Sequence, residues 1–125
     1  MAVMESIFSS EGGNGGNKEE TPNPEPNHGE SPESFTLLEN YPNPFNPATS
    51  IRYGIPEQST VNIKVYDLSG RLVEELVNTN MDAGYYTVEF NGSTLPSGIY
   101  LYRMTSQSLV SDQQFSQVGR MLLLK

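Results

Sequence analysis

Few side chains in this chain of 125 residues have the types and spacing that catalysis requires. The absence of cysteine excludes a disulfide framework, a thiolate zinc site and a cysteine nucleophile. The only histidine, His28, excludes a multi-histidine metal site and argues against a Ser-His-Asp triad. The adjacent acids Glu19-Glu20 and Glu74-Glu75 are not catalytic dyads, because neighbouring side chains on a strand point to opposite faces. We therefore expect a protein that is not an enzyme and that needs no cofactor.

Weaker signals for binding chemistry come from three aspartates and one tripeptide. Asp67, Asp82 and Asp112 lie in predicted loops and offer oxygen atoms to Ca²⁺, but their spacing is not that of an EF-hand. They stay weak calcium candidates, and no metal site is predicted. Asn91-Gly92-Ser93 fits the N-glycosylation pattern, but Asn-Gly is also a strong turn former, so a turn is the favoured interpretation.

Charge and hydropathy argue against two further classes. The chain has 7 Lys and Arg against 15 Asp and Glu, which gives a formal net charge of −8. Such a balance argues against nucleic-acid binding, which needs clustered basic side chains to neutralise phosphates. No apolar run approaches the ~20 residues of a membrane-spanning helix, so we expect no membrane insertion.

Residues 1–34 differ in composition from the rest of the chain. They contain seven Glu and one Lys, five of the 11 Gly and four of the 9 Pro, but a single aromatic residue. A stretch with so few apolar side chains cannot bury enough surface to offset its conformational entropy, so a flexible acidic linker is predicted. Residues 1–8 lack the basic start and the apolar core of a signal peptide. We expect them to be the end of an upstream domain or a cloning remnant.

Strand patterns dominate residues 35–125, the part that has to position any functional side chain. Apolar and polar residues alternate at 51–55, 61–65 and 86–90, which is typical of half-buried strands. Further strands are expected at 71–77, 99–104 and 121–124. Turn-forming residues predict a loop at 78–84 and positive φ at Gly70 and Gly84. Residues 105–119 are too many for a simple hairpin loop, so a wide or partly disordered connection is expected there. Six to seven short strands predict an antiparallel β-sandwich of the immunoglobulin or fibronectin-III type.

Apolar residues that need to be covered occur near the start and at the end of residues 35–125. Tyr41 and Phe45 lie in a proline-rich segment beside a strand, and one of them is expected to pack on the sandwich edge. Residues 121–124 are four consecutive apolar residues, and no element follows that could cover them. They are expected to form an exposed apolar edge strand, which is a template for pairing with a partner strand.

Five motifs, in order, resemble those of the type A C-terminal sorting domains of the type IX secretion system. Residues 40–56, NYPNPFNPATSIRYGIP, are similar to the opening NYPNPFNPxTxIxYxIP of that family. Residues 61–73, VNIKVYDLSGRLV, resemble VxIxVYDxxGRxV, and residues 95–104, LPSGIYLYRM, resemble LxSGxYxYRL. AGYY at 83–86 and RMLLLK at 120–125, where the family usually ends in KMLLLK, complete the set. The immunoglobulin-like domain of flagellar hook-capping proteins has a similar signature.

The resemblance implies a secretion signal that acts on an upstream cargo domain. Members of this family are exported to the Gram-negative periplasm and recognised as folded domains by the type IX outer-membrane machinery. A sortase commonly removes the domain and attaches the cargo to the cell surface. The expected partners are this machinery, its sortase and the cargo, and the domain is expected to be a monomer. Its expected location is the periplasm in transit, then the cell surface or the extracellular space.

Two segments match those that the family uses for recognition. Their residues are Gly98, Ile99, Tyr100, Arg120, Met121, Leu122, Leu123, Leu124 and Lys125. A simpler interpretation makes Ile99, Leu101, Met121 and Leu123 core residues, and both interpretations can hold together.

Two other classes of function stay open. Tyr85, Tyr86, Tyr100 and Tyr102 could form an exposed aromatic platform, which would suit a retained cell-attachment or carbohydrate-binding module. The domain could also be a structural spacer that is indifferent to its last residues.

Overall fold

Residues 31–125 are the part of the chain that the computed structural model describes, and their regular elements are all strands. The seven strands are β1 (Thr36–Leu37), β2 (Ala48–Ile55), β3 (Ser59–Asp67), β4 (Leu72–Met81), β5 (Gly84–Asn91), β6 (Gly98–Ser108) and β7 (Gln114–Leu123). Most of the predicted linker at 1–34, the predicted upstream remnant at 1–8 and His28 lie outside the described residues.

Two antiparallel sheets form the predicted sandwich. One has three strands in the order β1-β2-β5, and the other has four in the order β4-β3-β6-β7. The alternation seen in the sequence explains the layers, because one side-chain set of β2 and one of β3 is buried between the sheets. Their buried members are Ile51, Tyr53, Ile55, Val61, Ile63 and Val65. The fold class is therefore confirmed.

Aromatic pairs extend the core beyond the aliphatic residues. Phe45 meets Phe90 edge to face, with ring centroids 6.0 Å apart, and Phe35 stacks on Phe115 at 5.6 Å. The side chain of Phe45 is 2% exposed, whereas that of Tyr41 is 80% exposed. The prediction that one aromatic of the proline-rich segment packs on the sandwich is thus confirmed, and the residue is Phe45.

Two predicted loops are strands instead. Residues 78–81 continue β4, where Asn78, Thr79 and Asn80 pair with Asn62, Val61 and Thr60 of β3. Residues 105–108 and 114–119 pair across β6 and β7, which leaves 109–113 as their connection. Both segments are polar because their outward face is solvated, and cross-strand pairing overrides the turn preference of Asn and Ser.

The predicted turns are confirmed. Gly70 has φ +92° and Gly84 has φ +155°, which are backbone conformations that residues with a Cβ rarely adopt. Asn91-Gly92-Ser93 begins a turn in which the Ser93 amide donates to the Asn91 side-chain oxygen at 2.8 Å.

Candidate functional site

The two segments singled out by the sequence lie side by side at one end of the four-stranded sheet. In the antiparallel β6–β7 pair, Gly98 is opposite Leu123, Ile99 is opposite Leu122 and Tyr100 is opposite Met121. Because β6 and β7 are consecutive strands of one hairpin, the start of β6 necessarily meets the end of β7. The structure therefore brings the predicted site residues together.

The sheet divides these residues between its two faces. Tyr100, Met121 and Leu123 point into the core and are at most 5% exposed. Ile99 and Leu122 are half-buried on the outer face, beside the exposed Arg120 and Leu124. The core interpretation is correct for Met121 and Leu123. It is wrong for Ile99 and Leu101, because their strand positions alternate with the buried Tyr100 and Tyr102.

The outer edge of β7 is covered at this end. The amide of Phe45 donates to the Leu122 carbonyl at 2.9 Å, and the Leu124 amide donates to the Phe45 carbonyl at 3.0 Å. The side chain of Asn43 accepts from the Leu122 amide at 3.0 Å and donates to the Arg120 carbonyl at 3.3 Å. Residues 43–45 are named the edge latch.

The edge latch overturns the expectation of an open edge at 121–124. The covering element comes from earlier in the chain, so the end of the chain gave no indication of it. Lys125 is also held, because its amide donates to the Ser97 hydroxyl at 3.0 Å and its Nζ donates to the Ser93 carbonyl at 2.7 Å.

The outer face at this end continues across all four strands. Leu72 of β4 is opposite Tyr66 of β3, Tyr66 is opposite Leu101 of β6, and Leu101 is opposite Arg120 of β7. Together with the adjacent Ile99–Leu122 pair, the apolar members of this row form the outer patch: Tyr66, Leu72, Ile99, Leu101 and Leu122. A pocket of about 360 Å³ adjoins it between the edge latch and the Ile99–Leu122 pair.

Sequence reasoning missed Tyr66, Leu72 and Asn43 as members of this region. Tyr66 lies within a matched motif, but its position beside Leu101 depends on the order of the strands in the sheet. Asn43 lies in the proline-rich motif, but a side chain that bonds a distant strand edge has no local sequence signal.

The calcium candidates lie at opposite ends of the sheet. Asp67 is the last residue of β3 and is opposite Tyr100. Asp82 follows the end of β4 and Asp112 follows the end of β6, both at the other end of the sheet, where Ser59 pairs with Ser108. Among residues 31–125, no group of three or more His, Cys, Asp or Glu side chains is placed to hold a metal ion.

Asp67 has a structural role in the β3–β4 turn. Its carboxylate accepts from the Ser69 hydroxyl at 2.6 Å and from the amides of Ser69 and Arg71 at 2.9 and 3.1 Å. The Ser69 hydroxyl is the largest of these influences, and together they lower the pKa of Asp67 to about 2.

The alternative of an exposed tyrosine platform is wrong. Tyr100 and Tyr102 are buried, and their hydroxyls donate to the carbonyls of Pro96 at 2.7 Å and Leu38 at 3.0 Å. Burial raises the pKa of Tyr102. Tyr86 stacks on Tyr53 with ring centroids 5.6 Å apart, so the four tyrosines do not share one exposed surface.

Comparison with known proteins adds one match. The family model described as a secretion system C-terminal sorting domain matches residues 39–116, which is more than half of the chain. It begins before the edge latch and ends within β7. No curated protein matches the chain. Within the described residues, no helix is long and apolar enough to span a membrane.

Proposed function

The chain belongs to the secretion system C-terminal sorting domain family, and we propose that it is the non-catalytic signal that takes an upstream cargo domain through the type IX outer-membrane machinery. The cargo is then released or attached to the cell surface, and the sortase of this machinery is the second partner. The family match over 39–116 carries the proposal. The sandwich supports it, because a folded domain can present residues from distant strands as one rigid surface.

We assign recognition to the outward members of the predicted site. Ile99, Arg120 and Leu122 present side chains on the outer face beside Leu124 and Lys125. The inward members have a positioning role, since Tyr100, Met121 and Leu123 fill the core beneath them. Gly98 starts β6 with φ +154°, which a residue with a Cβ would adopt only with strain.

The edge latch argues for recognition of the face and against recognition of the edge at 120–124. Strand addition needs unpaired backbone groups on the edge strand. Here, the outward amides of Leu122 and Leu124 and the carbonyls of Arg120 and Leu122 already have partners. A partner strand would have to displace the edge latch and remove Phe45 from the core.

A reporter assay tests the proposed function. The 125-residue chain is fused behind a periplasmic reporter and expressed in a type IX-secreting bacterium. We expect the reporter at the cell surface or in the medium, whereas the reporter without the chain stays in the periplasm. A folded fusion that stays in the periplasm would contradict the proposal and favour a structural spacer.

Deletion of 122–125 is an unsuitable variant for this assay. It would remove Leu123, whose side chain is fully buried, and both backbone bonds of Phe45 with the end of the chain. Loss of delivery would then report unfolding as readily as loss of recognition. Substitutions of outward side chains avoid this problem.

A further inference from the structure

The outer patch is bordered by two arginines that form no ion pair with the acidic side chains of residues 31–125. Arg120 ends the row of Leu72, Tyr66 and Leu101, and Arg103 lies on the same face, two residues after Leu101. Both side chains are exposed. Within residues 31–125, neither forms an ion pair, whereas Lys64 lies 3.9 Å from Glu75 and Arg71 lies 3.3 Å from Asp67.

The charge on this part of the surface differs from the net charge of the whole domain. Residues 35–125 contain eight acidic and six basic side chains, a net charge of −2. The two arginines nevertheless lie on one sheet face, next to half-buried Ile99, Leu101 and Leu122. Glu39 lines a pocket together with Arg120 but forms no ion pair with it. An apolar surface with such arginines at its border is complementary to an apolar surface bordered by carboxylates.

We propose that Arg103, Arg120 and the outer patch form one docking face for a protein partner that presents an apolar contact bordered by Asp or Glu side chains. This inference rests on the proposed function and specifies the chemistry of the surface on the secretion machinery that reads the domain. The recognition surface thereby gains four residues: Tyr66, Leu72, Leu101 and Arg103.

The charge distribution favours a protein partner over an anionic membrane. Electrostatic attachment to a membrane usually needs four to eight clustered basic residues. This face has two arginines without an ion pair inside residues 31–125, and the whole chain carries −8. Two well-placed arginines are sufficient for a protein interface, where each can bind one carboxylate in a bidentate manner.

Binding of the full chain to the detergent-solubilised, immobilised type IX outer-membrane machinery tests the inference. Affinity is measured at 50 and 300 mM NaCl (about 14 and 6 Å screening length). We expect the double variant Arg103→Gln/Arg120→Gln to bind about three- to tenfold more weakly at low salt. Its affinity should also depend less on salt than that of the wild type. Arg103→Lys/Arg120→Lys should keep most of the salt dependence.

A control variant with the same net charge separates local from global electrostatics. Gln58→Glu/Thr87→Glu also lowers the net charge by two, at exposed positions outside this face. We expect it to bind like the wild type. Thermal unfolding midpoints equal to that of the wild type show that the variants are folded.

Three outcomes would overturn the inference. If the wild type binds and Arg103→Gln/Arg120→Gln binds equally with the same salt dependence, the docking face is wrong while the proposed function stands. If the wild type does not bind the machinery at all, both fail. If the wild type binds phosphatidylglycerol vesicles and the double variant does not, the face is a membrane contact.

Discussion

Tyr102 shows how a single side chain joins three parts of the sandwich. Its side chain extends from β6, and its ring lies over Gly119 of β7. Its hydroxyl donates to the Leu38 carbonyl and accepts from the Asn40 amide at 3.1 Å. Tyr102 was part of the alternative of an exposed aromatic platform, and residues 99–102 are all apolar or aromatic. With no polar residue in the run, alternation does not reveal which side chains face the core.

Only glycine fits at position 119, because a Cβ there would lie within 2.6 Å of the Tyr102 ring. We predict that Gly119→Ala lowers the free energy of unfolding by about 1–3 kcal/mol through overpacking and loss of the Tyr102 hydrogen bonds. Chemical denaturation measures this. In a Tyr102→Leu background, the same change should cost much less. An equal cost in both backgrounds would refute the explanation.

The carboxylate of Asp67 should make the domain sensitive to acid. Its pKa is about 2 in the folded state and near 3.8 without the turn, so it stabilises the fold above pH 4. We predict that this contribution disappears as the pH falls from about 4 to about 2, and that Asp67→Asn lacks this part of the acid profile. Ser69→Ala should shift the loss to higher pH. Unfolding curves across pH 2–6 would show the difference, and identical profiles for Asp67→Asn and the wild type would exclude it.

Among the elements, the edge latch covers the apolar end of β7, which would otherwise be an exposed sheet edge. Proline has no amide hydrogen, so Pro44 cannot continue a ladder, and the side-chain amide of Asn43 serves β7 instead. Phe45 then inserts its ring against Phe90 and restores backbone pairing with Leu122. Burial of an aromatic residue here was predictable from the sequence. The strand that it covers was not, because that pairing joins residues almost 80 positions apart.

Phe45→Ala should separate the edge latch from β7. We predict a loss of about 3–5 kcal/mol in the free energy of unfolding and faster hydrogen exchange at the Leu124 amide. Tyr41→Ala is the matched control in the same segment, and its exposed ring should contribute less than about 0.5 kcal/mol. Equal effects of the two substitutions, or unchanged exchange at Leu124, would show that the edge latch does not hold the strand.

For the whole molecule, the sequence predicted the fold class, and it placed the two segments proposed for recognition without indicating the surface that they form. Period-two alternation in 51–55 and 61–65 was sufficient for a sandwich, since it needs only local information. Tyr66 and Leu72 could not be assigned to the outer patch, because their neighbours follow from the order β4-β3-β6-β7. Residues 78–81, 105–108 and 114–119 form strands where a loop or a wide connection is expected from the sequence, since a polar strand segment and a loop have similar compositions.

In the proposed function, the folded domain is recognised through the outer face where β6 begins and β7 ends. The most direct test is the surface-delivered fraction of a reporter fused to the chain, compared between Leu122→Glu and Leu109→Glu. Both leucines lie on the β6–β7 hairpin, Leu122 at the proposed site and the exposed Leu109 in the connection at the opposite end. With both variants folded, we predict that Leu122→Glu stays in the periplasm and Leu109→Glu is delivered like the wild type. Equal delivery of the two variants would exclude recognition through this face.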